Sequence, residues 1–261
     1  MSESNGRKTA IVFSLILFLA GSAVTLAPWL HSQWVAYTMR RDVQEFLSYV
    51  QVNPFSPDAS VPENTISQES ALEEPLPPTE YTQLWLDMKA YNEAIFQEGQ
   101  EGLSDPTAYE APCFQLSDYG LETEVFGVLS IPKLEIEMPI YLGASKQNMA
   151  NGAAVMGQTS LPIGGSNTNC VLAGHRGWNG AAYFLYINQL EPGDIVTVTN
   201  LWETLTYEVV NTKIISPDNV EAIHIQPERE LLTLLTCHPP ASGGKQRYLV
   251  FCERDYEMEV P

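Results

Sequence analysis

From Val125 onward the apolar residues keep a two-residue period or gather in short runs cut by Gly and Pro. That pattern constrains the fold more than any other feature of the chain. Leu134, Ile136, Met138 and Ile140 alternate with Glu135, Glu137 and Pro139, which predicts a strand with one buried face. Further β-like runs fall at 170–173, 194–199, 204–215, 230–236 and 247–253, and 200–203 reads as a hairpin connection. Many short strands with little helix between them predict an all-β fold with peripheral helices, a closed barrel or a sandwich. No internal repeat is present.

The first third of the chain reads differently. Residues 10–30 carry no charge and are long enough to cross a bilayer as a helix. Arg7 and Lys8 precede them, which predicts a cytoplasmic N-terminus at 1–8, a transmembrane anchor at 9–30 and the remainder outside the cell. A cleaved signal peptide is the competing reading, with Gly21-Ser22-Ala23 as its small-residue site. Apolar residues continue past that site to Trp29-Leu30 and favour the retained anchor, with Trp29 and Trp34 near the outer interface.

Val35, Met39, Val43, Phe46, Leu47 and Val50 recur at helical spacing and predict a membrane-proximal helix over 31–52, packed on the globular part or on the membrane. Residues 53–79 hold six prolines and many acids, and no Lys or Arg occurs between Arg41 and Lys89. Such a stretch buries too little apolar surface to offset its ordering entropy, so 53–80 reads as an acidic linker. Leu84, Trp85, Met88, Tyr91, Ile95 and Phe96 form the apolar stripe of a second helix over about 81–97. Gly99, Gly102 and Asp105-Pro106 open a loop that completes an 81–118 unit, before a barrel over 119–256 and an acidic tail at 257–261.

Thirteen basic against 32 acidic residues give a net charge of −19, which argues against nucleic acid as a partner. Cys113, Cys170, Cys237 and Cys252 show no CxxC or Cys/His ligand spacing, so no zinc site is expected. Export leaves a disulfide among Cys113, Cys170 and Cys252 open, though a chain of this size does not require one.

The chemistry centres on Thr233-Leu234-Leu235-Thr236-Cys237-His238-Pro239-Pro240, where an apolar run carries a thiol to the mouth of a turn. A nucleophilic cysteine needs a proton-exchanging partner and a donor for the developing oxyanion. Of four histidines, His31 abuts the apolar segment and His224 reads as a surface residue. His238 adjoins Cys237 on a strand and should face the other way. His175 ends the run Cys170-Val171-Leu172-Ala173 between Gly174 and Gly177, and is the best candidate. Arg247 reads either as a solvated strand charge or as an oxyanion donor, with Arg176 and Arg254 as alternatives. Pro239-Pro240 and Gly243-Gly244 suit a loop joining adjacent antiparallel strands, which would bring Cys237 and Arg247 to one barrel end.

Thr233–Cys237 resembles the TLxTC motif of sortases, and Leu172-Ala173-Gly174-His175-Arg176-Gly177 resembles the segment carrying their catalytic histidine. Arg247 matches the arginine on the strand after the cysteine. Similarity is strongest to class C, the pilin-polymerising sortases, through Gly127-Val128-Leu129-Ser130-Ile131-Pro132-Lys133-Leu134 and Pro139-Ile140-Tyr141-Leu142-Gly143. Gly157-Gln158-Thr159-Ser160-Leu161-Pro162-Ile163-Gly164-Gly165 and Ala90-Tyr91-Asn92 also resemble class C segments.

The resemblance implies an eight-stranded sortase β-barrel preceded by N-terminal helices and a lid loop, on a membrane-anchored enzyme of the Gram-positive cell wall. It implies transpeptidation at an LPxTG-like sorting signal of pilins or surface proteins, through a thioester on Cys237 with His175 and Arg247 as catalytic partners and with no metal or other cofactor. The acceptor would be a pilin lysine; a cell-wall amine is the rival within the family, and a non-catalytic assembly factor the rival outside it. Where the class C lid carries Asp-Pro and then an aromatic, this chain reads Asp105-Pro106-Thr107, with Tyr109 as a substitute ring. Met156 stands where the class often has a histidine, the acidic stretch before Tyr81 looks like an insertion, and the expected C-terminal second anchor has no counterpart, leaving the N-terminal one.

Overall fold

A computed structural model describes residues 2–52, 81–103, 114–178 and 180–256. The acidic stretch 53–80, the tail 257–261 and the proposed lid residues Asp105, Pro106 and Thr107, with Tyr109 and Cys113, lie outside them.

The two-residue period resolves into strands β1 (Val125–Ile131), β2 (Ile136–Leu142), β3 (Ala153–Val155), β4 (Thr168–Ala173), β5 (Arg176–Trp178) and β6 (Ala181–Tyr183). They are followed by β7 (Ile195–Thr199), β8 (Thr204–Ile215), β9 (Glu230–His238) and β10 (Gln246–Arg254). Eight of these close into a barrel in the order β1-β2-β3-β4-β9-β10-β8-β7, while β5 and β6 form a separate hairpin. The barrel is mixed: β2 runs parallel to β3 and β4 parallel to β9, and the other pairs are antiparallel. Closure leaves no exposed sheet edge.

Leu129, Ile140, Leu172, Leu232, Leu234 and Val250 belong to the main apolar core. Val171, Leu235, Leu249 and Ile215 point into a second cluster on the other face of the same strands. Burial on both faces explains why β4 and β9 read as continuous apolar runs rather than alternating ones.

One strand expectation shifts and the hairpin expectation holds. The alternation starting at Leu134 is not one strand: Pro132–Leu134 form a 3₁₀ turn and Glu135 takes a left-handed φ of 53°. β2 starts only at Ile136, and Met138 to Leu142 are all buried because the N-terminal helix and a short helix α3 (Lys146–Asn151) pack against this strand. The 200–203 connection is a hairpin, closed by Asn200 N–H donating to Glu203 O at 2.9 Å. Asn200 Oδ1 also accepts from the amides of Trp202 and Glu203 at 2.8 and 2.9 Å.

The expected anchor and membrane-proximal helix are a single unbroken helix, α1 (Ser2–Val52), with Pro28 inside it. Its segment Val12–Val50 contains a window long and apolar enough to cross a membrane, none of it buried by the protein. Further along, Val35, Val43 and Phe46 are buried, and Met39, Leu47 and Val50 pack at the edge of the core. The second half of α1 therefore lies on the barrel.

Helix α2 (Thr82–Gln97) buries Leu84, Trp85, Met88 and Ile95 as the stripe predicts, and also Asn92. That amide brackets the segment before β4: Oδ1 accepts from Leu161 N–H at 2.7 Å and Nδ2 donates to Leu161 O at 3.3 Å.

Candidate active site

Cys237 sits near the end of β9, half-buried. In the antiparallel register of β9 and β10 it lies directly opposite Arg247. Residues paired in this way send their side chains to the same face. His175 reaches the same end from β4. Ala173 is level with Leu235 in the parallel β4–β9 ladder, and Gly174 N–H still donates to Leu235 O at 3.0 Å. Two residues further along each strand, His175 and Cys237 lie at the same end of the barrel. Thr236 Oγ1 donates to Gly174 O at 2.7 Å, locking the strand end that carries the thiol to the one that carries the imidazole.

Arg247 is 4% exposed. Its Nη1 donates to Gly244 O and, at 3.1 Å, to Gln246 O, so the guanidinium is held within the β9–β10 turn. Gly244 has a φ of +78°, and a Cβ added there would stand 3.1 Å from Arg247 Nη1 and 3.4 Å from Cys237 Sγ. The turn thus passes bare backbone over the thiol.

The His175 ring stacks on Trp178 at 4.7 Å between centroids, with 17° between planes, and meets Tyr183 edge-on at 5.7 Å. Burial lowers its pKa from the ordinary histidine value, favouring the neutral imidazole.

The two alternative arginines separate. Arg254 lies at the opposite end of β10, with Nε 3.8 Å from Glu230 Oε1. Arg176 stays at the thiol's end, buried on β5 with its guanidinium 5.2 Å from the Tyr248 ring centre and Nη2 donating to Asn188 Oδ1 at 2.6 Å. Burial lowers its pKa, and the negative forms of Tyr248 and Cys237 act against that shift. Its Nε and Nη1 are buried with no hydrogen-bond partner among the described residues. The sequence raised Arg176 only as a substitute for Arg247; the structure brings both to the thiol's end of the barrel.

His238 leans on Tyr248 at 5.8 Å between centroids, with Thr236 and Gln246 on its side of the ladder and away from Cys237. His31 is exposed on α1, and His224 follows a short 3₁₀ turn after β8. Cys170 and Cys252 are free thiols, buried deeply enough that their pKa values rise. Among the described residues no three His, Cys, Asp or Glu side chains gather as a metal site.

Comparison with known proteins agrees with this geometry. The sortase domain model matches residues 129–255. Bacillus subtilis sortase D is 33% identical over 130 residues, covering 49% of this chain and 63% of that protein, so the match spans less than two thirds of this relative's length. Among solved structures, sortase C1 of GBS pilus island 1 shares the fold with a TM-score of 0.64 at 24% identity, over 85% of this chain and 95% of that one. Clostridium perfringens sortase C, solved with the C-terminal cell wall sorting motif, is 33% identical with a TM-score of 0.56, over 67% of this chain and 89% of that one.

The chain belongs to the sortase family. Its neighbours among solved structures are class C sortases, and its closed eight-stranded barrel is the sortase fold.

Proposed function

We propose that this protein is a membrane-anchored cysteine transpeptidase that cleaves an LPxTG-like sorting signal and transfers the acyl fragment to an amine, most specifically a pilin lysine. The observation that carries the reading is the cross-strand pairing of Cys237 with Arg247, with His175 at the same end of the barrel.

The Cys237 thiolate attacks the carbonyl carbon of the signal's threonine, and the carbonyl electrons move onto oxygen. Arg247 donates to that oxyanion from a fixed position, an interaction stronger in the transition state than in the ground state. Collapse breaks the Thr–Gly bond, the protonated His175 gives its proton to the leaving glycine amine, and a thioester remains on Cys237. The acceptor amine then attacks the thioester carbonyl, His175 takes its proton, and the C–S bond breaks to release the Cys237 thiolate as the new amide forms, which restores the thiolate and the protonated His175. Because burial favours neutral His175, the form carrying both thiolate and imidazolium is a minor fraction of the enzyme at neutral pH.

The sorting motif held by the C. perfringens neighbour and the pilus setting of the GBS neighbour support the choice of substrate. The length and apolarity of the Val12–Val50 segment, with Arg7 and Lys8 before it, support a single span with the barrel outside the cell.

The test is to incubate the full chain in detergent with LPxTG-type peptides and hydroxylamine, then with a lysine-bearing pilin. Thioester and hydroxamate that vanish in Cys237→Ala, and a covalent ladder with pilin, are the expected results. Full hydroxamate yield from Cys237→Ala would overturn the reading; transfer to a cell-wall amine with no ladder would place the acceptor in the wall instead.

A further inference from the structure

The hairpin carrying Trp178 is built against the one part of α1 that sets the height of a membrane. Pro28, Ser32, Val35, Met39, Val43, Phe46 and Val50 recur at three- and four-residue steps, and several of them make the buried stripe of α1. The stripe's first members meet the β5–β6 hairpin. A Cβ added at Gly180 would lie 3.3 Å from Pro28 O and 3.1 Å from Ser32 Cβ, so the hairpin backbone rests directly on the helix there. Tyr183 fixes the other side of the hairpin by donating to Ala150 O at 2.6 Å.

The uncharged run 10–30 is about 31 Å long at ~1.5 Å per residue, close to the ~30 Å hydrocarbon core of a bilayer. Pro28 and Ser32 straddle the end of that run. If the helix spans as proposed above, the hairpin sits at the outer boundary of the hydrocarbon.

The side chains at this level match that position. Trp178 is 47% exposed although it is a large apolar ring, and Trp29 and Trp34 on α1 are 59% and 62% exposed. Indole rings concentrate at the membrane–water interface, where the apolar body and the N–H are both satisfied. A net charge of −19 gives the chain as a whole no attraction to anionic lipid, and rings of this kind supply a contact that needs none.

We propose that Trp178, together with Trp29 and Trp34, forms an interfacial contact with the phospholipid bilayer that turns the Cys237 end of the barrel toward the membrane surface. α1 leaves the hairpin and continues along β2, where the Tyr141 hydroxyl donates to Asp42 Oδ2 at 3.4 Å, so helix and barrel are joined at more than the hairpin and keep one orientation to the bilayer. His175, stacked on Trp178, is one ring from the headgroups. The site then meets peptide segments lying at the bilayer surface before segments free in solution. The inference rests on α1 spanning the membrane, not on the identity of the reaction.

The experiment places the full chain in phosphatidylcholine nanodiscs containing lipids brominated either near the headgroup end or near the middle of the acyl chain. Tryptophan emission is compared among wild type, Trp178→Phe and Trp29→Phe. The emission lost in Trp178→Phe should be the part quenched by shallow bromines and spared by aqueous iodide. Fluorotryptophan labelling of the unsubstituted chain, read by fluorine NMR with a paramagnetic headgroup lipid, should broaden the Trp178 resonance without removing the ring. Quenched Trp29 with unquenched, iodide-accessible Trp178 would overturn the orientation while leaving the anchor. Loss of bromine quenching at both positions would overturn the anchor and the orientation together.

Discussion

Cys237 and Arg247 face each other across β9 and β10, joined by a turn whose Gly244 carbonyl accepts from the same guanidinium. The arginine therefore braces the turn that passes over the thiol, and it cannot move toward a substrate without loosening that turn. A fixed donor of this kind suits a developing oxyanion, because little reorganisation is needed when the charge appears.

Arg247→Lys keeps the charge and removes the planar fork, so it separates charge from geometry. The lysine's three donors share one nitrogen, so it cannot reproduce the spread of the fork that reaches Gly244 O and a substrate oxygen together. We expect kcat/KM for peptide cleavage to fall by about 10²–10³, the cost of losing one oxyanion donor. Steady-state assays with an LPxTG-type peptide check this. A loss of less than threefold would show that charge alone suffices.

Gly243 and Gly244 offer a matched pair. Both have positive φ, +70° and +78°, so an alanine at either costs about 1–2 kcal/mol of backbone strain. Only at 244 does the new methyl crowd Arg247 Nη1 and Cys237 Sγ; at 243 nothing lies within 4 Å. Thermal melts should show similar destabilisation for Gly243→Ala and Gly244→Ala, while iodoacetamide should alkylate Cys237 more slowly in Gly244→Ala alone. Equal alkylation rates would mean that the turn does not set access to the thiol.

The sequence was most readable where one chemical requirement recurs along the chain. The Pro-Pro and Gly-Gly pairs between Cys237 and Arg247 marked a turn between adjacent strands, and the ladder pairs those two residues directly. The apolar run ending at His175 marked β4, though not that β4 lies parallel and adjacent to β9, because strand order depends on contacts distant in sequence. Three-residue strands such as β3, β5 and β6 carry too few side chains to show any period.

β2 was misread for a different reason. Its outward residues are covered by α1 and α3, so tertiary packing overrode the alternation that Glu135 and Glu137 suggested. Asn92 is polar on an otherwise apolar stripe and is buried only because Leu161 meets both ends of its amide. No local pattern announces that. Arg176 gave its signal late as well: adjacent to His175 in sequence, it shows itself near the thiol only once the hairpin folds back.

Thr236 tests whether the two strand ends must be tied for the site to work. Thr236→Val removes the hydroxyl that bonds Gly174 O inside the protein and leaves the shape nearly unchanged. Losing this buried bond should cost about 1–3 kcal/mol in urea unfolding. Thr236→Ser keeps the donor and should recover most of that stability and most of kcat. Valine and serine variants with equal stability and equal kcat would show that packing, not the bond, joins the thiol strand to the imidazole strand.

The buried, stacked setting of His175 makes a pH prediction with a definite sign. Its folded pKa lies below the value of about 6.5 expected in the unfolded chain. Above that pH both states hold neutral imidazole and the residue costs no stability. As pH falls from about 6.5 toward the folded pKa, the unfolded chain takes up the proton first, so stability declines across that window and levels off below it. NMR titration of the His175 ring proton, assigned with His175→Gln because the His238 pKa is also lowered by burial and by Arg176, should give a midpoint under about 6.5. Trp178→Ala uncovers one face of the ring, so the midpoint should rise toward the ordinary value as water returns. A wild-type midpoint at or above the ordinary value would remove the case for a mostly neutral imidazole, and with it the reason for a minor thiolate–imidazolium fraction.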